Sequence, residues 1–430
     1  MFGSLAARMV SLVLWFNNPG LRLRLRTVRH LAFATEFAEK NPLHIVLDES
    51  HRAKSGFASA QGSAVLEMAP AAARRDILSG TPMPQGLSDL CAQFSFLWPL
   101  QGDICGKHLE GGDAEPEFAN RFLEPLFTRV TKRDLGLPPV EFPADYSGIR
   151  LRPHQQAAYE MLRTEASSQF QKSKAPTNEK LKVLGKQVVN LIQIASNPTL
   201  AYQRLNDSPD LRDSGDFLEE LRLASLEPSA KMIALRELVD EVLAQQGEKV
   251  VIWSGYVETI EMIASEFQEY GPLTIHGGVK TGSEDDIEYR EARVRLFNSD
   301  VNYRIIVANP AAGGEGISLH EGAHNAIYFD RNFNATHFLQ SVDRIHRLGL
   351  PDGTVTRVFL LEATDTIDGI IEERLQKKIG AMNKVLNLRS LNTLTLDGDE
   401  EESTDAPDVL GADLEDLEFV RSKHFKGIEY

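Results

Sequence analysis

Short apolar runs and amphipathic stretches alternate along the chain and predict its elements. Residues 43–47 form an apolar run typical of a buried parallel strand, and a second strand is predicted at residues 76–78. Between them, residues 60–73 are rich in alanine and predict a helix. This strand, helix, strand order is the unit from which parallel sheets are built.

A longer alternation occupies the second half of the chain. Its strands are predicted at residues 250–254, 273–276, 304–308, 325–329 and 354–360, and its helices at residues 230–246 and 366–378. The pattern predicts a doubly wound parallel sheet, in which ligands bind at the carboxyl ends of the strands. Between the two α/β regions, from about residue 138, the chain is polar and helical, which predicts a helical linker or insertion.

Composition and charge exclude little. A chain of 430 residues, 42% apolar and 25% charged, is typical of a globular protein with two or three domains. Its formal charge of −16 is unfavourable for binding nucleic acid, but residues 397–418 hold eleven acidic residues and no Lys or Arg. Without those eleven the charge becomes −5, so local basic strips can still contact phosphates. The acidic stretch is expected to be disordered up to residue 408.

No targeting or membrane segment is predicted. The apolar run at residues 9–16 is short and lacks a small-residue cleavage site, so it predicts a buried strand that ends in a turn. No run reaches the roughly 18 apolar residues of a transmembrane helix. Cys91 and Cys105 could pair in principle, but nothing else indicates a disulfide framework. The expected location is cytoplasmic, with no membrane partner.

Polar turns follow both strands of the first region. Asp48 and Glu49 come directly after residues 43–47, where a carboxylate pair can hold Mg²⁺ through water and activate an attacking water. His51 would link a nucleotide to a partner lobe. In the next turn, the hydroxyls of Ser79 and Thr81 are suited to hydrogen-bond the first turn. Ordinary solvated turns have the same composition, so each pattern alone leaves both interpretations open.

Two further patterns follow in the second α/β region. Residues 311–319 form a glycine-rich loop whose amides can approach a phosphate, and we expect it to open a short helix. Arg344 and Arg347 are three residues apart on a predicted helix and would share one face, from which guanidinium groups can reach a nucleotide. Asp343 could instead pair with them in a local surface network.

The order of these motifs resembles the Swi/Snf-type branch of the superfamily 2 helicases. The resemblance covers residues 43–378, and its motifs are DESH at 48–51, SGTP at 79–82, TRVTKRD at 128–134, LIQIASNP at 191–198, SAK at 229–231, VVIWS at 250–254, HGG at 276–278, GGEGISL at 313–319 and QSVDRIHRLG at 340–349. In that branch they correspond to motifs II and III, the end of the first lobe, a linker signature, the start of the second lobe, and motifs IV to VI with the turn after motif IV.

The resemblance implies an α/β fold with two RecA-like parallel-sheet lobes, the first incomplete, joined by a helical linker. The expected boundaries are a partial first lobe at 1–139, a helical linker at 140–228, a second lobe at 229–388 and a partly disordered acidic tail at 389–430.

The resemblance also implies a DNA-dependent ATPase that uses ATP and Mg²⁺ to move on duplex DNA. The catalytic residues would be Glu49 as the base and Arg344 and Arg347 as fingers. The remaining implied roles are nucleotide binding by Asp48 (through Mg²⁺ and water), His51, Gly314, Gly316 and Gln340, coupling by Ser79 and Thr81, and DNA binding by Ser254, His276, Gly277 and Asn309.

The sequence departs from the family in one respect, since it contains no Gly-x-x-x-x-Gly-Lys-[Ser/Thr] phosphate loop. Only 47 residues precede Asp48, and the nearest approach, residues 102–108, has the wrong spacing and position. We therefore expect slow hydrolysis by this chain alone, and a fragment whose loop another chain or protein supplies. The alternative is a non-catalytic DNA- or protein-binding module derived from a helicase. An RNA helicase is disfavoured by the linker signature and by residues 229–231.

Overall fold

The computed structural model describes most of the chain. The described residues are 10–14, 42–48, 50–80, 82–83, 89–99, 128, 130–206, 215–280, 286–313, 317–351, 353–385 and 412–425. Of the sequence predictions, the disordered acidic stretch falls outside these ranges, as do Glu49, Thr81, Cys105, Gly314 and Gly316.

A three-stranded parallel sheet forms the first α/β region. Its strands lie in the order β1-β2-β3, with β2 paired to both neighbours. Helix α1 begins at the Ser59 cap, whose hydroxyl accepts the Gly62 amide, and connects β2 to β3. Alternate residues of β2 are buried against α1 and α2. The elements are β1 (Val10–Leu14), β2 (Leu43–Leu47), α1 (Ala60–Met68), β3 (Arg74–Ile77) and α2 (Leu90–Leu97).

Five parallel strands form the second sheet, as the sequence predicted. Their order is β5-β6-β4-β7-β8, and β4, β6 and β7 are buried on both faces. The chain leaves the central strand β4 first in one direction and later crosses to β7 on its other side, so the sheet is doubly wound. The strands are β4 (Val250–Trp253), β5 (Leu273–Ile275), β6 (Ile305–Ala308), β7 (Asn325–Tyr328) and β8 (Arg357–Leu360).

Helices cover both faces of this sheet. Ser229 caps the first helix of the second α/β region, since its hydroxyl accepts the Met232 amide and donates to the Ser196 carbonyl. In chain order the helices after α2 are α3 (Pro153–Lys172), α4 (Thr177–Ser196), α5 (Pro198–Asn206), α6 (Gly215–Ser225), α7 (Ala230–Leu243), α8 (Val257–Glu266), α9 (Arg290–Ser299), α10 (Pro310–Gly313), α11 (Ala335–Asp343), α12 (Ile367–Val385) and α13 (Leu414–His424). Within the described ranges, no helix is both long and apolar enough to cross a membrane.

The helices α3 to α6 share one hydrophobic core with the second sheet, although the sequence indicated a separate linker. Tyr159 and Val188 belong to the same buried cluster as Trp253 and Tyr328 of the sheet. The segment before α3 also runs beside β8, where the Glu141 amide donates to the Thr356 carbonyl at 2.9 Å. The reason is that the apolar stripe of α4 is buried against the sheet, a contact that local periodicity does not reveal.

The final helix, α13, packs against α4 and α12 beyond the acidic stretch. Asp416 is fully buried, and its carboxylate accepts hydrogen bonds from Lys378 and Arg374 at 2.6 Å each. His424 lies 2.9 Å from the hydroxyl of Tyr159, which also accepts the Ile367 amide. Part of the predicted acidic tail is therefore a folded element of the second core.

A buried ion pair connects distant parts of the second region. Lys231 is 0% exposed, and its ammonium lies 2.5 Å from the carboxylate of Asp368 at the start of α12. It also donates to the Phe329 carbonyl after β7 and lies 3.5 Å from the Ser196 hydroxyl at the end of α4. One side chain therefore fixes the relative positions of α7, α4, β7 and α12.

Replacing Lys231 by methionine should lower the free energy of unfolding by about 3–5 kcal/mol, because the buried Asp368 carboxylate would lose its cation. Urea denaturation measures the difference. The control is Lys280→Met, which removes a cation from the solvent-screened pair with Glu288 and should change stability little. Equal effects of the two substitutions would contradict the role given to Lys231.

Candidate nucleotide and nucleic-acid site

The two polar turns of the first sheet contact each other at the carboxyl ends of β2 and β3. The Ser50 amide donates to the Leu78 carbonyl at 3.0 Å, so the turn after β2 lies directly beside β3. His51 is fully buried, and its Nδ1 is 3.1 Å from the hydroxyl of Ser79. Asp48 lies half-buried at the end of β2. The predicted nucleotide and coupling residues are thus in one place, and their roles stay predictions.

Gln93 connects these turns and was not found from the sequence. Its Oε1 accepts the Ser50 hydroxyl at 2.7 Å, and its Nε2 donates to the Pro82 and Asp89 carbonyls. Gln93 is 1% exposed on the otherwise mostly apolar helix α2. A glutamine at a position where the helix faces the core was the available signal, because a buried amide needs hydrogen-bond partners.

Asp330 organises the carboxyl end of β4 in the second sheet. Its carboxylate accepts the Ser254 hydroxyl at 2.6 Å and the Gly255 amide at 2.7 Å. Burial raises the pKa of Asp330, against the opposing effect of these two donors. Ser254 itself is fully buried, so the prediction that it contacts DNA is corrected to a role in supporting the turn. Asp330 follows β7, and the sequence interpretation missed it.

Asn309 bridges three strand ends. Its amide nitrogen donates to the Gly255 carbonyl at 2.9 Å, and its side-chain oxygen accepts the Ala311 amide at 2.8 Å. Its main-chain amide donates to the Ile275 carbonyl after β5. Asn309 therefore holds the start of the glycine-rich loop against β4 and β5 while remaining half-buried.

The short helix expected after the glycine-rich loop lies before it. Helix α10 covers Pro310–Gly313, and the residues that return after Gly316 are not helical. Asn309 explains this order, since its oxygen accepts an amide at the start of α10.

His276 and Gly277 follow β5 on the same side of the sheet. The Nε2–H of His276 donates to Glu261 at 2.9 Å, and its Nδ1 accepts the Gly278 amide. These bonds fix the imidazole and shape the turn. Gly277 is exposed, and a side chain there would meet no neighbour within 4 Å among the described residues. Its backbone is therefore accessible to a large ligand.

Arg344 and Arg347 do not share a helix face, which corrects the sequence prediction. Helix α11 ends at Asp343, and the Arg344 and Ile345 amides bond to carbonyls three residues back. The burial of Ile345 and His346 draws the chain into this turn. Residues 344–347 are called the arginine turn below. Arg344 is half-buried and its carbonyl accepts the Leu319 amide, whereas Arg347 is exposed.

Gln340 lies one turn before the end of α11. It is 1% exposed, and neither atom of its side-chain amide has a hydrogen-bond partner among the described residues. A buried amide without partners costs roughly 1–3 kcal/mol, so such groups occur mainly where a ligand or another segment completes the site.

The arginine turn is held by the segment that precedes Pro139. Lys132 forms an ion pair with Asp343 and donates to the His346 carbonyl at 2.7 Å. His346 Nε2–H donates to the Pro138 carbonyl at 2.8 Å. Burial, and next the positive charge of Lys132, lower the pKa of His346 to about 4.

Known proteins resemble this arrangement at the sequence level. The family described as "Helicase conserved C-terminal domain" matches residues 230–349. A "Transcription regulatory protein SNF2" of Saccharomyces cerevisiae is 24% identical over 375 residues, covering 80% of this chain and 20% of that protein. The chain is a Swi/Snf-type superfamily 2 helicase-like protein.

Two further relatives show the same pattern of coverage. The mouse (Mus musculus) "DNA excision repair protein ERCC-6-like" is 24% identical over 393 residues, which cover 77% of this Swi/Snf-type chain and 30% of that protein. A "Probable global transactivator" of the Orgyia pseudotsugata multicapsid polyhedrosis virus is 31% identical over 166 residues, covering 38% and 32%. The chain thus spans 20% to 32% of the length of these three relatives.

A solved structure, the C-terminal part of the Fun30 ATPase domain, is 20% identical to the chain. It covers 58% of this chain and 99% of that one with a TM-score of 0.39, a value too low to support any argument.

The depressed pKa of His346 predicts acid sensitivity. An ordinary histidine titrates near 6.5, whereas the folded His346 titrates at about 4. The folded state therefore binds this proton less readily, so the stability is fully present above pH 6.5 and is lost as the pH falls towards 4. Burial lowers the pKa of His424 to about 4 as well, which adds to the effect.

Thermal unfolding measured between pH 6.5 and 4 should show a Tm that falls with pH. His346→Gln, which retains a donor for the Pro138 carbonyl but cannot titrate, should flatten part of this fall. A variant curve parallel to that of the wild type would contradict the assignment.

Proposed function

We propose that this chain carries motifs II to VI of a DNA-dependent ATPase that moves on duplex DNA. The observation that carries the proposal is Gln340, whose buried amide has no partner among the described residues although it lies one turn before the exposed Arg347. A polar group of this kind, next to a cation that faces solvent, fits a site completed by a polar, anionic ligand such as a nucleotide.

The nucleotide would be held between the two polar edges. Asp48 is a half-buried carboxylate at a strand end, a hard oxygen ligand of the type that holds Mg²⁺ through water. Glu49 would orient the attacking water, while Gln340, Arg344 and Arg347 would contact the nucleotide from the second lobe. ATP bound with Mg²⁺ would supply the phosphate chain that is cleaved.

Duplex DNA would lie along the turns after β5 and β6. The exposed backbone of Gly277 and the half-buried Asn309 lie at the carboxyl ends of those strands. The printed name of the mouse relative refers to DNA excision repair, which supports DNA as the partner. His276 would position this turn rather than present its ring, because both ring nitrogens already have partners.

A second candidate is a non-catalytic DNA- or partner-binding module. It is favoured by one observation, since the 430 residues contain no Gly-x-x-x-x-Gly-Lys-[Ser/Thr] loop. Such a module would bind DNA without hydrolysing ATP. The two candidates differ in turnover, so one assay separates them.

ATP hydrolysis by the purified chain, with and without duplex DNA, tests the proposal. We expect DNA-stimulated turnover that Glu49→Gln abolishes and that Arg347→Ala lowers by about 10³-fold, the effect of losing an arginine finger. The matched control is Arg222→Ala, which removes an exposed arginine paired with Glu219 on α6. It should leave turnover unchanged.

DNA binding by fluorescence anisotropy at several salt concentrations distinguishes the remaining outcomes. Salt-sensitive binding without any turnover by the folded chain would contradict the catalytic proposal and support the binding module. Neither binding nor turnover would contradict both candidates.

A further inference from the structure

Lys132 contacts the arginine turn at three points. Its ammonium forms the ion pair with Asp343, donates to the His346 carbonyl at 2.7 Å, and lies 3.5 Å from His346 Nδ1. The side chains of Lys132 and Asp343 are 18% and 6% exposed. Lys132 lies more than 200 residues before its partners, so the contact joins the segment after the first sheet to the end of α11.

The ion pair matters because of what stands next to Asp343. Its carboxylate is separated from Arg347 by four residues, the spacing at which opposite charges in a helix or turn meet most readily. A largely buried carboxylate that lost Lys132 would attract another cation, since an uncompensated charge is costly in this environment. The exposed Arg347 has no printed constraint against that movement.

His346 gives the turn a second anchor. Because the Lys132 ammonium has only protons to offer, His346 Nδ1 must be the acceptor and Nε2 must carry the hydrogen. That hydrogen is donated to the Pro138 carbonyl. The arginine turn is therefore fastened at both edges of its single loop to residues 132–138.

We propose that Lys132 is a positioning residue for the arginine turn. By neutralising Asp343 and holding the His346 carbonyl, it keeps Arg347 directed to solvent, where the guanidinium can meet an anionic phosphate chain. The second half of this statement rests on the proposed function. The first half, that Lys132 prevents an Asp343–Arg347 pair, does not depend on it.

Phenylglyoxal labelling of Arg347, followed by peptide mass spectrometry, tests the first half directly. In Lys132→Met, the freed Asp343 carboxylate should pair with Arg347 and slow its labelling by about threefold. In the double variant Lys132→Met with Asp343→Asn, the labelling rate should return to that of the wild type. A purely structural role predicts no such recovery, because the double variant removes one more contact.

Two variants serve as controls. Lys132→Arg keeps the charge and should keep the wild-type rate, which also guards against a failure of Lys132→Met to fold. Arg133→Ala removes an exposed cation from the neighbouring position and should have no effect. An unchanged Arg347 rate in Lys132→Met, or no recovery in the double variant, would overturn the proposal.

Equilibrium binding of MANT-ATP with Mg²⁺ tests the link to the ligand. Affinity should fall by about tenfold in Lys132→Met and recover in the double variant, as expected when a charge-assisted contact is lost and restored. Absence of MANT-ATP binding by the wild type would contradict the proposed function alone, since the labelling result stands by itself. Normal binding by Lys132→Met would overturn the positioning role.

Discussion

The structure depends on the burial of both faces of the five-stranded parallel sheet. Its central strands have no polar face, so each side must be covered by helices. One side is covered in part by α7 and α8, and the other by a cluster that includes α3 to α6 and α13. Helices that are remote in sequence are therefore parts of one folding unit, which includes the segment 141–149 beside β8.

This burial confines the candidate chemistry to one edge of the sheet. Asn309, Asp330 and His276 all follow strands and all have their polar atoms fixed by neighbours. A ligand at this edge would meet turns that are already formed, which lowers the ordering cost of binding. Gln340 is the contrast, because its amide is buried without a partner among the described residues.

Three lysines hold sequence-distant elements onto this unit. Lys231 pairs with Asp368, Lys378 pairs with Asp416, and Lys132 pairs with Asp343. In each pair the carboxylate is almost fully buried, so its desolvation cost is offset only while the lysine stays in place. Such pairs penalise partial separation of the elements, and they make the unit respond as a whole when one element moves.

The sequence alone determined the strands, most helices and the order of the motifs, because these depend on local periodicity and turn chemistry. It also indicated that the turns carrying His51 and Ser79 would meet, since parallel strands end at the same edge. Tertiary structure decided that Ser254 is buried, that α11 ends before Arg344, and that α13 belongs to the core. Each of these depends on a contact between residues far apart in the chain, such as Asp330 with Ser254, and no local pattern records which distant partner a side chain will find.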